Sequence, residues 1–292
     1  MPTVAYLTSS NMVPGREPIR DDLHELEQQL DEIVPALARR GWTLRLQVWD
    51  DPSFDPRSVD AIVVGTTWDY HSRAPEFLAA VDGMARWTPV FNDPELLRWN
   101  AEKSYLRDLA EAGIPIVPTR WAHDPTKADL RAAFEAFGAD RLVIKSLVGA
   151  AAEGQTTARR GQDPAPLPTG GALIQPFLDA ATTEGEYSYI FIDGSFSHAL
   201  LKKAADGDYR VQSIYGGTET AHTPSAGDLA AATAVMKALP GDPLYARIDL
   251  MRGPEGDLLL MEAELIEPFL YPLQGPELGK RLAQALVGRV GG

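Results

Sequence analysis

Three carboxylates near the end of the chain, Asp249, Glu262 and Glu264, have the types and spacing to grip one cation. They sit in Arg247-Ile248-Asp249-Leu250 and Leu260-Met261-Glu262-Ala263-Glu264, on either side of the turn Gly253-Pro254-Glu255-Gly256. Two strands joined by such a turn read as a hairpin. That pairing brings Asp249 opposite or close to Glu262, and strand alternation puts Glu264 on the face of Glu262. Like charges so placed repel unless neutralised. Mg²⁺, held by carboxylates and a substrate phosphate, would do that. A solvated acidic strand face is the alternative; the apolar residues between the acids argue that the opposite face is packed.

Cationic residues supply the complementary chemistry. Lys145 closes the strand signal Leu142-Val143-Ile144 and precedes a small-residue loop, Gly149-Ala150-Ala151-Ala152-Glu153-Gly154. Such a loop exposes backbone N–H groups, so the pair could cradle phosphate, or be an ordinary strand end and turn. The order of a Walker-type P-loop is absent. Lys103 falls early in a predicted helix, 100–112, with Asn92 and Asn100 nearby, where a surface lysine is equally expected. Lys202, Lys203 and Arg210 gather positive charge around Asp206-Gly207-Asp208; they could clamp phosphate oxygens or pair with the aspartates. In Gln175-Pro176-Phe177-Leu178 the proline leaves one ladder donor missing. Such a segment can offer backbone groups to a planar base, or be an edge strand. Gly216-Gly217 could admit a ligand to the backbone, or form a turn.

The elements that must position these groups fall into two styles. Strand signals at 4–7, 44–49, 61–64 and 89–91 alternate with helical periodicity at 23–37 and 75–86. That order predicts a small open parallel sheet. Ligands meet such sheets at strand C-termini, which makes Asp69, Tyr70 and His71 candidates for substrate contact; a capped loop around a half-buried Trp68 is the alternative. The last third predicts strands at 172–175, 187–192, 196–201, 210–214, 246–251 and 258–264, with helices at 229–239 and 278–286. This is an α+β pattern on antiparallel strands. Helices at 100–112 and 130–137, the strand 142–144 and an irregular connector, 161–171, lie between.

Composition excludes several classes. The 292 residues carry 27 Lys and Arg against 41 Asp and Glu, a net charge of −14, which disfavours nucleic-acid backbones. There is no cysteine, hence no disulfide, thiolate metal site or cysteine nucleophile. The five histidines have no helical ligand spacing. No signal peptide or membrane-length apolar run is visible, so a cytoplasmic protein without membrane partners is expected.

Taken in order, Lys103, Lys145 with its small-residue loop, Gln175 to Leu178, Gly185-Glu186-Tyr187-Ser188, the basic segment Lys202 to Arg210, Gly216-Gly217, Arg247-x-Asp249 and Glu262-x-Glu264 resemble the ATP-grasp superfamily of carboxylate–amine ligases. The resemblance covers about residues 90–290 and implies an N-terminal α/β domain (1–91), a central lid (92–175) and a C-terminal antiparallel-sheet unit with the metal site (176–292). It implies ATP and Mg²⁺ as cofactors, with two ions bound and Mn²⁺ as a substitute. Lys103, Lys145 and Lys202 would hold phosphates; Gln175, Pro176, Phe177 and Leu178 would enclose adenine; Glu186 would bind ribose. Asp249, Glu262 and Glu264 would ligate metal, and Arg210 and Arg247 would stabilise the acyl phosphate and tetrahedral intermediate. Asp69, Tyr70, His71, Gly216 and Gly217 would meet an amino-acid-like carboxylate and an amine. Two departures stand out: Glu264 occupies a position where most members have asparagine, and the phosphate loop is rich in alanine rather than glycine.

The stretches Thr67 to His71, Arg98-Trp99-Asn100, Ser197-His198-Ala199 and Glu262 to Pro268 are similar to the glutathione-synthetase-type branch that contains the D-cycloserine-forming ligase. An antibiotic-biosynthetic ligase, in a family whose members are often homodimers, is the function so implied. A nucleotide-binding member without ligase activity is the rival, and an acidic divalent-cation binder a third reading.

Overall fold

The computed structural model describes residues 1–16, 18–149 and 155–291. Three sheets organise them. The first joins β1 (Thr3–Thr8), β2 (Thr43–Val48), β3 (Ala61–Thr66) and β4 (Val90–Phe91) in the order β2-β1-β3-β4, all parallel. Helices α1 (Leu23–Ala38) and α2 (Ala74–Ala85) follow β1 and β3. Every residue of β3 is buried, as a strand covered on both faces requires.

Next come two short helices, α3 (Pro94–Asn100) and α4 (Tyr105–Glu111), in place of the single helix expected over 100–112. Asp93 caps α3, its carboxylate accepting from the N–H groups of Glu95 and Leu96, and Pro94 fits the first turn. Lys103 therefore lies between helices rather than within one. Its backbone N–H donates to Leu147 O at 2.8 Å, pinning it beside the segment that follows β6.

The second sheet runs β5-β8-β6-β7, antiparallel, from β5 (Arg120–Ala122), β6 (Arg141–Ser146), β7 (Thr156–Arg159) and β8 (Ala172–Pro176). Helix α5 (Lys127–Phe137) covers it; a capping box between Thr126 and Asp129 starts the helix and Gly138, at φ 60°, ends it. The third sheet runs β11-β10-β9-β12-β13, from β9 (Glu186–Ile192), β10 (Ser195–Lys203), β11 (Thr218–His222), β12 (Tyr245–Arg252) and β13 (Leu258–Glu264). It is antiparallel throughout. A one-turn helix α6 (Ala180–Thr183), α7 (Ala226–Ala238) and α8 (Leu278–Gly291) complete the chain. The strand expected at 210–214 is not formed: the segment is a loop with a 3₁₀ turn at Ser213–Tyr215, and β11 supplies the edge instead.

A register break in the β12–β13 hairpin decides which side chains reach the site. Leu250 pairs with Leu260, whereas Asp249 pairs with Glu262, leaving Met261 as the extra residue of a bulge. Before the bulge Leu258 and Leu260 enter the core; after it Ala263 and Leu265 do. Strict alternation would have put Glu262 and Glu264 on the core face of Leu260. The bulge turns them out of it.

The sheets share cores. Leu278, Leu282 and Leu286 of α8 pack with Leu26, Ile33 and Leu37 of α1 and with Ile190 and Ile192 of β9. Two buried asparagines, one just after β4 and one at the end of α3, tie these elements to the third sheet. Asn92 donates to Tyr245 O and Leu265 O at 2.9 and 2.8 Å, and Asn100 donates to Ala263 O at 2.7 Å. Among the described residues no helix is long and apolar enough to cross a membrane.

Candidate active site

One cavity of about 230 Å³ lies between the second and third sheets, with the loop after β3 as an end wall. Its floor is the polar face of the third sheet, which brings acids and cations into register. Lys202 on β10 stands between Glu219 on β11 and Glu186 on β9. Asp249 on β12 stands between Ser188 on β9 and Glu262 on β13, and Arg247 faces Glu264. Cross-strand neighbours of opposite charge stabilise a sheet, whereas Asp249 opposite Glu262 requires a counter-charge.

The pairs follow from that register. Lys202 Nζ lies 2.6 Å from Glu186 Oε1 and 3.4 Å from Asp249 Oδ2. Burial works against its charge, but Asp249 and Glu186 outweigh it and hold the ammonium above its usual range. Arg247 grips Asp249 through Nε and Nη2 at 3.0–3.1 Å, donates to Phe269 O at 3.1 Å and bonds Glu264. Asp249 also accepts from Ser188. Burial would raise the Asp249 carboxyl; Arg247 and Lys202 more than reverse this and lower it. Tyr271, at φ 50°, brings its ring within 5.6 Å of the Arg247 guanidinium and 6.0 Å of Lys202 Nζ.

The lysines of the opposite wall differ. Lys103 Nζ bonds Glu262 Oε1 at 2.8 Å and Gly149 O at 2.7 Å. Burial is overcome by Glu262, and its ammonium is raised. The ammonium of Lys145, on β6, has no hydrogen-bonding or ion-pairing partner among the described residues. Burial lowers it below the usual lysine range, with only partial relief from Glu262 and Glu186. Of the small-residue loop after it only Gly149 is described; residues 150–154 lie outside the described residues.

Gln175 and Pro176 end β8, and Phe177 and Leu178 continue along the cavity edge. Gln175 Nε2 donates to Thr119 Oγ1 at 3.0 Å and the Phe177 N–H donates to Arg141 O at 2.9 Å, so these groups are already engaged. The Arg141 guanidinium covers the Phe177 ring at 3.8 Å and lies 5.1 Å from the Tyr209 ring. This stack joins the second sheet to the loop that carries Arg210. Arg210 lines the cavity but is committed within its own loop: Nη2 bonds Asp208 at 2.7 Å and the guanidinium stacks on Tyr215 at 3.6 Å.

Not every expected site residue reaches the cavity. Tyr70 and His71 line it; Asp69 does not. Asp69 Oδ1 instead accepts the Trp49 indole N–H at 2.8 Å, which makes it a support of the first domain's packing. Gly216 and Gly217 are also off the cavity wall. Gly216 closes the 3₁₀ turn at φ 80°. A Cβ on Gly217 would fall 2.1 Å from Val211 O, so this glycine admits the chain's own backbone rather than a ligand.

The acidic trio is corrected in one respect. Among the described residues no group of three or more His, Asp or Glu side chains is assembled as a metal cage. The reason is charge pairing: Arg247 occupies the space between Asp249 and Glu264, and Lys103 draws Glu262 away. The donors nonetheless suit a hard cation. All three are carboxylates lining one cavity, and burial, opposed by Arg247 but reinforced by Glu262 and Asp249, pushes the Glu264 carboxyl up to about 7. A cation there would relieve that repulsion.

Sequence reasoning missed Glu267, Trp68, Tyr209 and Tyr271, which line the same cavity. The Glu267-Pro268 step and the aromatic flanks of Thr67-Trp68-Asp69-Tyr70 were the available signals.

Residues 4–92 match the family described as D-cycloserine synthetase DcsG, N-terminal domain. The cycloserine biosynthesis protein DcsG of Streptomyces lavendulae is 29% identical over 286 residues, covering 91% of this chain and 95% of that protein. The crystal structure of D-cycloserine synthetase DcsG superposes with a TM-score of 0.84 at 25% identity, covering 99% of both chains. D-alanine–D-alanine ligase of Bacillus anthracis has the same fold, with a TM-score of 0.68 at 12% identity over 99% of this chain and 97% of that one. The chain is thus homologous to D-cycloserine synthetase and has the fold of the ATP-grasp ligases.

Proposed function

We propose that the chain is an ATP-dependent ligase that activates a small carboxylate as an acyl phosphate for attack by an amine. The observation that carries this reading is one cavity in which Lys103 and Lys145 meet Asp249, Glu262 and Glu264, with Lys202 and Arg247 beside those acids on the third sheet. In the reaction the γ-phosphoryl group passes to a carboxylate oxygen and ADP leaves. The amine nitrogen then bonds the acyl carbon, phosphate departs with the C–O electron pair, and the nitrogen loses a proton. No side chain has to become covalently attached, in keeping with the absence of cysteine.

The work left to the protein is positioning and charge stabilisation. Lys145, a half-buried cation whose ammonium has no partner among the described residues, is the group most in need of a phosphate oxygen. Lys103 can exchange Glu262 for phosphate. Lys202, fixed by Glu186, and Arg247, fixed by Asp249, are held in place before substrate arrives. Gln175 to Leu178 border the adenine end and Glu186 the ribose. Arg210 would reach the acyl phosphate on leaving Asp208. Asp249, Glu262 and Glu264 would hold Mg²⁺, two ions or Mn²⁺ in their place. When bound, the metal offsets the phosphate charge.

The reading keeps the functional division into an N-terminal domain (1–91), a central lid (92–175) and a C-terminal unit (176–292). It also includes an amino-acid-like substrate, ring closure within one molecule as the relative's name implies, a homodimer and a cytoplasmic setting. A phosphate-release screen of amino acids and dipeptides with MgATP, with and without amine acceptors, tests it. Stoichiometric ADP, phosphate and a new C–N product are expected. Nucleotide binding with no substrate-dependent ADP release would instead favour a nucleotide-binding protein without ligase activity.

A further inference from the structure

Several of the acids around the cavity are matched by cations. Glu262 has Lys103, while Glu264 and Asp249 share Arg247. Glu219 stands in register with Lys202. Glu267 has no hydrogen-bonding or ion-pairing partner for its carboxylate among the described residues.

Its backbone, in contrast, is firmly held. Glu267 O accepts the Trp68 indole N–H at 2.8 Å, and the preceding carbonyl, of Ile266, accepts the Tyr245 hydroxyl at 2.8 Å. Ile266 and Pro268 are buried on either side. The carboxylate is therefore delivered to the cavity by a rigid segment, next to the end wall formed by Trp68 and Tyr70. Burial and the charges of Glu264 and Glu262 disfavour its ionised form, and Lys103 and Arg247, whose charges favour it, are already engaged with Glu262 and with Asp249 and Glu264. An acid so placed lacks a positive charge that this chain does not provide. An alkylammonium group meets the need, since it carries three donors and is also attracted to aromatic faces.

We propose that Glu267 is the receptor for the α-ammonium group of the amino-acid substrate, and so the residue that selects it over a simple carboxylic acid. This deepens the ligase reading and rests on it. Glu267 then fixes one end of the zwitterion while its carboxylate faces Arg247 and the lysines, where it is phosphorylated.

The test compares D- and L-amino acids with their des-amino analogues, such as alanine with propionate, in MgATP-dependent phosphate release by the wild-type chain and by Glu267→Gln. The wild-type chain is expected to favour the amino acid. In Glu267→Gln, KM for the amino acid should rise about tenfold or more, the loss of one charge-assisted bond, and the preference over the analogue should collapse. KM for ATP and the Mg²⁺ requirement should stay within about twofold of wild type on the same grounds. If wild type accepts the des-amino analogue equally well, or Glu267→Gln leaves KM for the amino acid unchanged, the assignment of Glu267 fails while the ligase reading stands. A raised Mg²⁺ requirement with an unchanged amino-acid KM would make Glu267 a metal ligand and overturn the proposal. If no amino acid stimulates phosphate release, both fall. The analogue comparison needs no variant, so it decides even if Glu267→Gln folds poorly.

Discussion

Lys103 and Glu262 form a 2.8 Å ion pair across the cavity, joining the turn between α3 and α4 to the strand just past the β13 bulge. The pair occupies two groups that the reaction would need separately. A double-mutant cycle on Lys103→Met and Glu262→Gln, read by denaturant unfolding of the ligand-free protein, should give a coupling of about 1–3 kcal/mol. Each single variant should abolish ATP-dependent turnover. A coupling near zero would mean that the two side chains do not meet.

Lys145 is expected to behave differently. Its charge has no partner to lose, so Lys145→Met should leave the melting temperature unchanged or higher, because the burial penalty on the ammonium disappears. Phosphate release should fall by about 10²–10³-fold, the usual cost of removing one preorganised electrostatic contact. A marked loss of stability would show that Lys145 is a packing residue.

Asp69 provides the converse case. Asp69→Ala leaves the Trp49 indole N–H unpaired and should cost about 1–3 kcal/mol in unfolding free energy. Substrate KM values, measured below the melting transition, should hardly change. A large rise in KM with intact stability would restore Asp69 to the site.

His198 gives the fold a pH dependence. Its Nε2 lies 2.9 Å from Leu270 O, and burial lowers its folded-state pKa below the usual value. Below about pH 6.5 the unfolded chain therefore binds the proton more readily than the native state. This group's contribution to stability is present above that pH and is lost as the pH falls through and below it. His198→Gln should flatten that part of the profile in urea titrations between pH 5 and 8; an unchanged slope would place the origin elsewhere.

Much of the site was readable because its chemistry is local. Arg247-x-Asp249 follows strand alternation, and both side chains do reach the same face. Glu262 and Glu264 were placed together correctly, but strict alternation back to Leu260 would have buried them. The bulge at Met261 is a tertiary choice, made because Leu258 and Leu260 on one side and Ala263 and Leu265 on the other all gain burial only if the parity changes. The α3–α4 break was hidden because helical periodicity continues through it, although Asp93-Pro94 marked the earlier start. The segment 210–214 has strand-like composition, yet Gly216 and Gly217 fold it back on itself. Asp69 and Glu267 could not be sorted from sequence at all. Which carboxylate meets an indole N–H and which meets open cavity depends on Trp49 and Trp68, side chains distant in the chain from their partners.

The packing of α8 against α1 has a bearing on how the polypeptide is made. The parallel sheet is translated early, but one of its covering helices, α1, leans on residues 278–291, which are made long after it. A nascent chain that stops short of them leaves Leu26, Ile33 and Leu37 without that cover, so the first sheet completes its packing only after residues 278–291 have been made. Removing α8 should then loosen the molecule first at its parallel sheet.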